Sequence, residues 1–393
     1  MDIGNKVLYL VMVTSFTLSV GLYSVLPIQP LFMVEVGATE IEIGLIFAIS
    51  SLIGLASRTP LGILSDRIGR WIMIIVASSI QFVSLISFSF IDSVVWFYPL
   101  MSVQAMVFAS FVPSAVSLTS DMASSDKIGR IMGVYYTSIG LGQFVGPLVC
   151  GILTNYLAFR TIFLILSIFP LVGLLATMSW KSQKRIKRSV EKIGVPEESE
   201  RIIDSFKRIF RSRNVIGLCL SRVIFSISVG VIRTLFSVWA KTELLFTSAL
   251  ISILFSVRGA TNSSARIPIG RIVDKIGRKI PILLAFSFAV IAFLIFSVTT
   301  NYTIILVAMA IYGLAWGMRI VPDTTILTDN VQYQDRGLAL GILMSMFAMG
   351  TSMGSFGGGL AYTLFPMATI FQMVAGILLV GVIVLFITIR EKS

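Results

Sequence analysis

The sequence predicts an all-α membrane protein in which twelve transmembrane helices form two pseudo-symmetric six-helix bundles. Of its 393 residues, 56% are hydrophobic and 13% are charged, whereas a soluble domain carries about 25% charged residues. The apolar runs are long and continuous, which favours helices over the alternating strands of a β-barrel. Two distant stretches also repeat each other, and this repeat predicts the division into halves.

Twelve apolar segments are long enough to cross a hydrocarbon layer of about 30 Å. Their predicted ranges are 6–32, 39–62, 71–91, 94–119, 130–154, 160–180, 213–239, 247–268, 280–299, 302–327, 338–362 and 366–388. Basic residues are concentrated in alternate loops, so the positive-inside rule places those loops in the cytoplasm. We therefore expect a multi-pass protein of the cell (plasma) membrane with cytoplasmic N and C termini.

The predicted organisation has an N-terminal bundle at 1–180, a cytoplasmic basic linker at 181–212 and a C-terminal bundle at 213–393. Apolar residues recur at helical spacing in the linker and predict an amphipathic helix on the inner membrane surface. These residues are Ile202, Ile203, Phe206, Ile209 and Phe210. Two roles stay open for the linker: a tether that coordinates the halves, or a solvated segment that only fixes topology.

The internal repeat has an offset of 208 residues, as from Arg58 to Arg266. Residues 57–70 (the first motif copy) match residues 265–278 (the second motif copy) at seven of fourteen positions. Two halves in the same orientation imply a pseudo-twofold axis along the membrane normal. Transporters with this architecture bind substrate near the midplane, between the halves.

Both motif copies resemble the signature of the loop between helices 2 and 3 in the major facilitator superfamily, and the resemblance covers the whole chain. It implies a latch that closes the cytoplasmic side, in which Arg70 pairs with Asp121 and the motif carboxylate meets the start of helix 11 near Gly337. A charge pattern that only enforces topology is the alternative. The candidate latch residues are Gly62, Asp66, Arg67, Gly69, Arg70 and Asp121, and in the second copy Gly270, Asp274, Gly277, Arg278 and Asp329.

The fifth predicted span is rich in glycine and resembles the glycine–proline motif of the drug–proton antiporters in that superfamily. The candidate residues are Gly133, Gly142, Gly146, Pro147 and Gly151, with Cys150 at a position where the motif has glycine. Small residues allow close helix packing and proline bends a helix, so ordinary packing is the alternative. Met101, three residues before Gln104, stands where antiporters carry arginine, and the first span lacks an acidic residue.

Charged residues within membrane spans are costly, and they mark candidate functional sites. Arg233 and Arg258 are expected to attract an anionic group, because guanidinium binds carboxylate and phosphate in a bidentate manner. Arg319 and Asp323 are four residues apart and can pair on one helix face. Asp323 is the candidate proton carrier and Gln104 a further candidate contact, whereas Arg222 is expected to extend towards the inner surface. A purely structural set of ion pairs is the alternative.

Secondary transport is the predicted function. The leading hypothesis is proton-coupled efflux of small amphipathic or drug-like molecules, and the alternative is transport of organic anions or small metabolites through the arginines. An enzyme is not expected, since the chain lacks histidine and shows no nucleophile or metal-ligand constellation. We expect no cofactor, no metal and no nucleic-acid partner. The expected partners are a small-molecule substrate and the lipid bilayer, with the proton gradient as driving force and a monomer as the functional unit.

Overall fold

The computed structural model describes residues 3–122, 128–179 and 198–389, and no strand occurs in these ranges. The helices of the N half are α1 Ile3–Ser24, α2 Gln29–Glu35, α3 Glu40–Ile68, α4 Arg70–Phe88, α5 Phe97–Met122, α6 Ile128–Leu153, α7 Phe159–Leu166 and α8 Ile168–Met178. After the linker helix α9 Glu198–Arg211, those of the C half are α10 Arg213–Val231, α11 Ser237–Thr242, α12 Ser248–Ile276, α13 Lys279–Val298, α14 Tyr302–Asn330, α15 Arg336–Tyr362 and α16 Met367–Thr388.

Eleven spans within the described residues have the length and apolarity needed to cross a membrane, which confirms an all-α membrane fold. The segment predicted at 247–268 forms the first part of α12, which has 29 residues like α3. Polar and charged residues such as Arg258 and Asn262 lower its hydropathy. The boundaries proposed between the bundles and the linker stay predictions, and residues 180–197 lie outside the described part.

Two of the predicted spans are interrupted. The first is broken between Ser24 and Gln29 and resumes with Pro30 near the start of α2, where the missing N–H of proline is not needed. The seventh continues from α10 through a π-helical turn, Ile232–Phe236, into α11. Such turns are rare and frequently occur at functional sites. Both interruptions lie next to the cavity described below, whose wall includes Tyr23, Leu26 and Arg233.

Local sequence determines where several helices begin. The Thr39 hydroxyl accepts from the Glu42 N–H at 3.3 Å, and Glu42 Oε2 accepts from the Thr39 N–H at 2.8 Å, so α3 starts with a capping box. The turns after α3 and α12 require positive φ values of 103° at Gly69 and 81° at Gly277. Glycine adopts this backbone region without strain, which explains its presence in both motif copies.

Four long helices form most of the interface between the halves: α3 packs on α15, and α6 packs on α12. We call the side with the motif loops the basic end and the other side the opposite end. Near the opposite end, a Cβ on Gly359 would lie 2.6 Å from Glu40 O, and one on Gly151 would lie 2.9 Å from Ser252 Cβ. Backbones therefore touch directly across this part of the interface.

The same four helices diverge at the basic end. A Cβ placed on Gly62, Gly133, Gly270 or Gly341 would meet no atom of a described residue within 4 Å. Among the described residues, the cores of the halves interlock only towards the opposite end, where Leu31 packs into the C half and Val238 into the N half. The structure is thus closed at the opposite end and open at the basic end.

A helix, α9, occupies the C-terminal part of the predicted linker, and its position on the inner membrane surface stays a prediction. Ile209 is buried against the C half, whereas Phe206 and Phe210 are exposed and stack with their centroids 6.2 Å apart. Arg208 Nε donates to Asp335 Oδ2 at 3.0 Å, just before α15 begins. This hydrogen bond is the main cause that lowers the pKa of the Asp335 carboxyl. The side chains of Ile202 and Ile203 lie outside the described residues.

Candidate functional site in a cavity between the halves

A cavity of about 190 Å³ lies between the two halves. Its wall is mainly apolar and aromatic, with a few polar groups, which is typical of small-molecule sites. The lining residues are Leu22, Tyr23, Leu26, Ser51, Gly54, Leu55, Arg58, Gln104, Ala105, Phe108 and Ala109 from the N half, and Val229, Arg233, Phe255, Arg258, Trp316, Phe347, Ala348 and Thr351 from the C half. Both halves therefore contribute to one site.

Three arginines line the cavity: Arg58 on α3, Arg233 in the π-helical turn and Arg258 on α12. None of the described lining residues is Asp or Glu. Within the described part of the chain, these three guanidinium groups form no ion pair. Because arginine remains protonated in proteins, the cavity wall carries a positive charge that suits an anionic ligand.

Aromatic rings are the neighbours of two of these guanidinium groups. The Arg258 guanidinium carbon is 4.7 Å from the Phe255 ring centroid and 5.7 Å from that of Trp316. Arg233 lies over Phe47, at 4.9 Å, and Phe47 belongs to the other half. Cation–π contacts stabilise a guanidinium group where a carboxylate is missing, and they leave its N–H donors available to a ligand.

Gln104 lies in the cavity wall and accepts, through Oε1, a hydrogen bond of 2.7 Å from Gln29 Nε2. Gln29 is fully buried, at the point where α2 begins after the interruption. Gln29 Oε1 and Gln104 Nε2 have no partner among the described residues. A buried polar atom without a partner is costly, and of the two residues only Gln104 reaches the cavity wall, where it stays a candidate contact for a ligand.

Arg319 and Asp323 form the pair that their spacing predicts, but they lie outside the cavity wall. Arg319 Nη2 is 3.1 Å from Asp323 Oδ2, and Arg222 Nη1 is 2.8 Å from the same oxygen. The expectation for Arg222 was wrong: it is 8% exposed and points into the C half, because the buried carboxylate attracts it. A role for Asp323 in proton transfer stays a prediction.

The latch residues are at the open basic end. Arg70 Nη2 is 3.8 Å from Asp66 Oδ1, and the Asp66 side chain is 65% exposed. In the second copy, Arg278 forms an ion pair with Asp329. The side chains of Asp121 and Asp274 lie outside the described residues, so the pair between Arg70 and Asp121 stays a prediction. Gly69 and Gly277 form the turns, and Arg67 is exposed.

The glycines of α6 pack on two different partners. A Cβ on Gly142 would lie 2.4 Å from Ser19 Cβ, and one on Gly146 would lie 2.8 Å from Val20 O, both on α1. Gly151 faces α12 across the interface, and Pro147 lies within α6 between these contacts. This arrangement agrees with close helix packing, and an antiporter role for the motif stays a prediction.

Sequence reasoning missed four features of this site. Arg58 was treated only as part of the repeat, although a basic residue four positions before the end of a predicted span is itself a signal. Gln29 follows Pro27, a signal of the helix interruption. Phe47 and the π-helical turn that presents Arg233 depend on contacts between the halves, for which the single sequence contains no signal.

Comparison with known proteins identifies the family. The family model described as Major Facilitator Superfamily matches residues 11–239 and 218–393. The chain belongs to this superfamily. Its structure superposes on that of a mutant of the nucleoside transporter NupG with a TM-score of 0.84, 13% sequence identity and coverage of 98% of this chain and 100% of NupG. The superfamily fold is a transporter fold, which is the function class expected from the sequence.

Two relatives in the superfamily extend this comparison. The chain is 24% identical over 387 residues to MJ1560, an uncharacterised MFS-type transporter of Methanocaldococcus jannaschii, with 95% of this chain and 97% of the relative covered. It is 25% identical over 294 residues to the multidrug resistance efflux pump PmrA of Streptococcus pneumoniae serotype 4, with 72% and 70% covered. The chain therefore resembles a drug-efflux member of the superfamily, at low sequence identity.

Proposed function

We propose that the protein is a secondary transporter that moves small amphipathic anions by alternating access of the cavity. The observation that carries this proposal is the set of three arginines in a mainly aromatic and apolar cavity without a carboxylate among its described lining residues. Guanidinium groups bind carboxylate, sulfonate or phosphate groups through charge-assisted hydrogen bonds. Rings such as Phe108 and Trp316 would contact the apolar part of the ligand.

The two halves would rock about the cavity, so that the basic end closes while the opposite end opens. The latch residues of the two motif copies would then hold the basic end closed. We further propose that the protein acts as a monomer in the plasma membrane with both termini in the cytoplasm. The cavity supports a monomer, since one chain supplies both of its walls.

Binding to the purified protein tests the proposal. The probe is radiolabelled 2-naphthalenesulfonate, an aromatic anion that stays ionised at neutral pH, and equilibrium dialysis measures its Kd. Replacing Arg258 by glutamine should weaken binding about tenfold or more, because a hydrogen bond to a charged group contributes about 1.5–3 kcal/mol. The matched control is Arg266→Gln on the same helix, outside the cavity wall, which should leave Kd unchanged.

A larger lipophilic cation, tetraphenylphosphonium, serves as the opposing probe. Guanidinium charges repel it, so the unmodified protein should bind it much more weakly than the sulfonate. Tighter binding of tetraphenylphosphonium than of 2-naphthalenesulfonate, with no effect of Arg258→Gln, would contradict the proposal.

Proton-coupled efflux of drug-like molecules is the second candidate function. The name of the relative PmrA and the glycine–proline pattern of α6 favour it. It requires a titrating carboxylate, and Asp323 is the candidate, although two arginines hold it. Proteoliposomes with an imposed pH gradient separate the two candidates: movement of a lipophilic cation dye without movement of the sulfonate selects efflux coupled to protons.

A further inference from the structure

We infer that the protein is an anion exchanger, in which the cavity changes its access only when an anion is bound. The inference rests on the transport function proposed above and concerns the energetics of the empty protein. Two observations lead to it: which groups contact the cavity arginines, and whether those groups belong to the same half of the molecule or to the other half.

The Arg233 guanidinium group has a partner across the interface. Arg233 is on the C half, and the ring that it contacts at 4.9 Å is Phe47 of the N half. Its Nε has no hydrogen-bond partner among the described residues. This contact lies towards the opposite end, where the backbones of α3 and α15 also touch through Gly44 and Gly359.

Opening the opposite end separates α3 from the C half and therefore removes the Phe47 ring from Arg233. Arginine does not lose its proton in proteins, so the guanidinium group must then find a new partner or water. The cost of that step is lower when a bound anion already accepts hydrogen bonds from it. An empty cavity offers no such compensation.

Closing the basic end encloses the positive charges of both halves in one space. Arg58 comes from α3, and Arg233 and Arg258 come from the C half, with no Asp or Glu among the described lining residues. Enclosing like charges away from water is unfavourable unless a counter-charge accompanies them. A bound anion that contacts both halves supplies this counter-charge, so the loaded cavity closes more easily than the empty one.

The buried ion pairs of the C half provide a contrast. Arg222 and Arg319 have Asp323 as a shared partner within the same half. Asp323 compensates one of their two positive charges within that half, and rocking of the halves leaves these contacts intact. The conformational dependence on an anion is therefore a property of the cavity arginines.

Both conformational steps therefore need an anion, whichever direction the cavity faces. After one anion has left, the protein returns only once another anion has bound, so transport is an exchange of one anion for another. Net movement of anion in one direction should be slow in comparison. A transmembrane anion gradient, rather than a proton gradient, would then determine the direction of transport.

Proteoliposomes preloaded with radiolabelled 2-naphthalenesulfonate test this inference. We expect efflux into buffer without permeant anion to be slow, and the addition of unlabelled 2-naphthalenesulfonate outside to accelerate it about tenfold or more, which corresponds to about 1.4 kcal/mol in the barrier of the empty protein. Liposomes without protein give the background. The measured quantity is the rate of efflux with external anion divided by the rate of efflux without it.

Two variants should lower this ratio towards one. Phe47→Leu removes the ring from Arg233 in the closed state, so opening no longer costs that contact, and Arg58→Gln removes one cavity charge without altering a buried ring. The matched control is Phe225→Leu, which removes a buried ring at 4.6 Å from Arg319 within the C half. This control should keep the ratio of the unmodified protein.

The possible results separate the inference from the function on which it rests. Equal efflux with and without external anion, or net uptake driven by a pH gradient as fast as exchange, would overturn the exchange mechanism and leave anion transport in place. Absence of protein-dependent movement in every mode would overturn anion transport itself, and the inference with it.

Discussion

Replacing Asp323 by asparagine removes the carboxylate that two buried guanidinium groups share. Asp323 is 1% exposed and Arg319 is fully buried. Arg222 donates to Asp323 Oδ2 at 2.8 Å, and Arg319 donates to the two carboxylate oxygens at 3.2 and 3.1 Å. The variant leaves both cations in the C half with a neutral amide between them.

Breaking a buried ion pair by removing one partner costs about 3–5 kcal/mol, because the remaining charge is uncompensated. For a folding unit of about 180 residues, each kcal/mol lowers Tm by about 2–4 °C, so we expect a decrease of about 6–20 °C. Differential scanning fluorimetry of the purified protein in detergent measures this shift. Combining Asp323→Asn with Arg222→Met restores the original net charge of the cluster and should recover part of the loss.

An exposed ion pair provides the matched control. Asp92 pairs with Arg160 at 2.9 Å, and the Asp92 side chain is 83% exposed. Exposed pairs contribute about 0–1 kcal/mol, so Asp92→Asn should change Tm by only a few degrees at most. Our reasoning would be refuted if Asp323→Asn unfolded at the temperature of the unmodified protein, or if both variants lost the same amount.

Three further predictions concern the interface and the linker. Gly359→Val places side-chain atoms where a Cβ would already be 2.6 Å from Glu40 O. Spin-label distances between α3 and α15 should therefore widen at the opposite end. The control Gly357→Val, at a glycine that faces open space, should leave these distances unchanged. Gly62→Leu should fold and bind ligand normally but lose most transport, since the side chain would obstruct closure of the basic end; full transport would contradict a closing movement there. Arg208→Ala should increase hydrogen exchange across α9 relative to the control Lys207→Ala. Arg208 lowers the pKa of the Asp335 carboxyl below its usual 3.8. The contact between Arg208 and Asp335 should therefore persist from pH 7 to pH 5 and weaken only as pH falls below about 3.8. If α9 already lost protection from hydrogen exchange at pH 5, after correction for intrinsic exchange rates, this role of the contact would be contradicted.

Most of the fold could be predicted because lipid imposes a simple pattern on the sequence. Long apolar runs must form helices to satisfy their backbone polar groups, and the repeat predicted two copies of the motif turn. The structure places positive φ values at the corresponding residues Gly69 and Gly277. The segment at 247–268 was predicted as a helix even though its polar residues make it the least apolar of the set.

The site could be predicted only in part, since side-chain partners depend on contacts between distant helices. Arg233 and Arg258 are in the cavity wall as expected, and Gln104 lies beside them. The repeat was misleading for Arg58, which lines the cavity although its counterpart Arg266 does not. Arg222 could be assigned correctly only once α10 and α14 were seen to lie side by side.

Leu31 and Val238 each pack into the core of the opposite half, and this packing has a consequence for the protein without ligand. Each side chain is almost fully buried in the half to which it does not belong, and burial of such a side chain is worth about 1.5–3 kcal/mol. Withdrawing both into water would cost about 3–6 kcal/mol, and the latch contacts that form when the basic end closes would have to offset this cost. The relative strength of these two sets of contacts therefore sets how often an unloaded molecule presents its binding cavity to each side of the membrane.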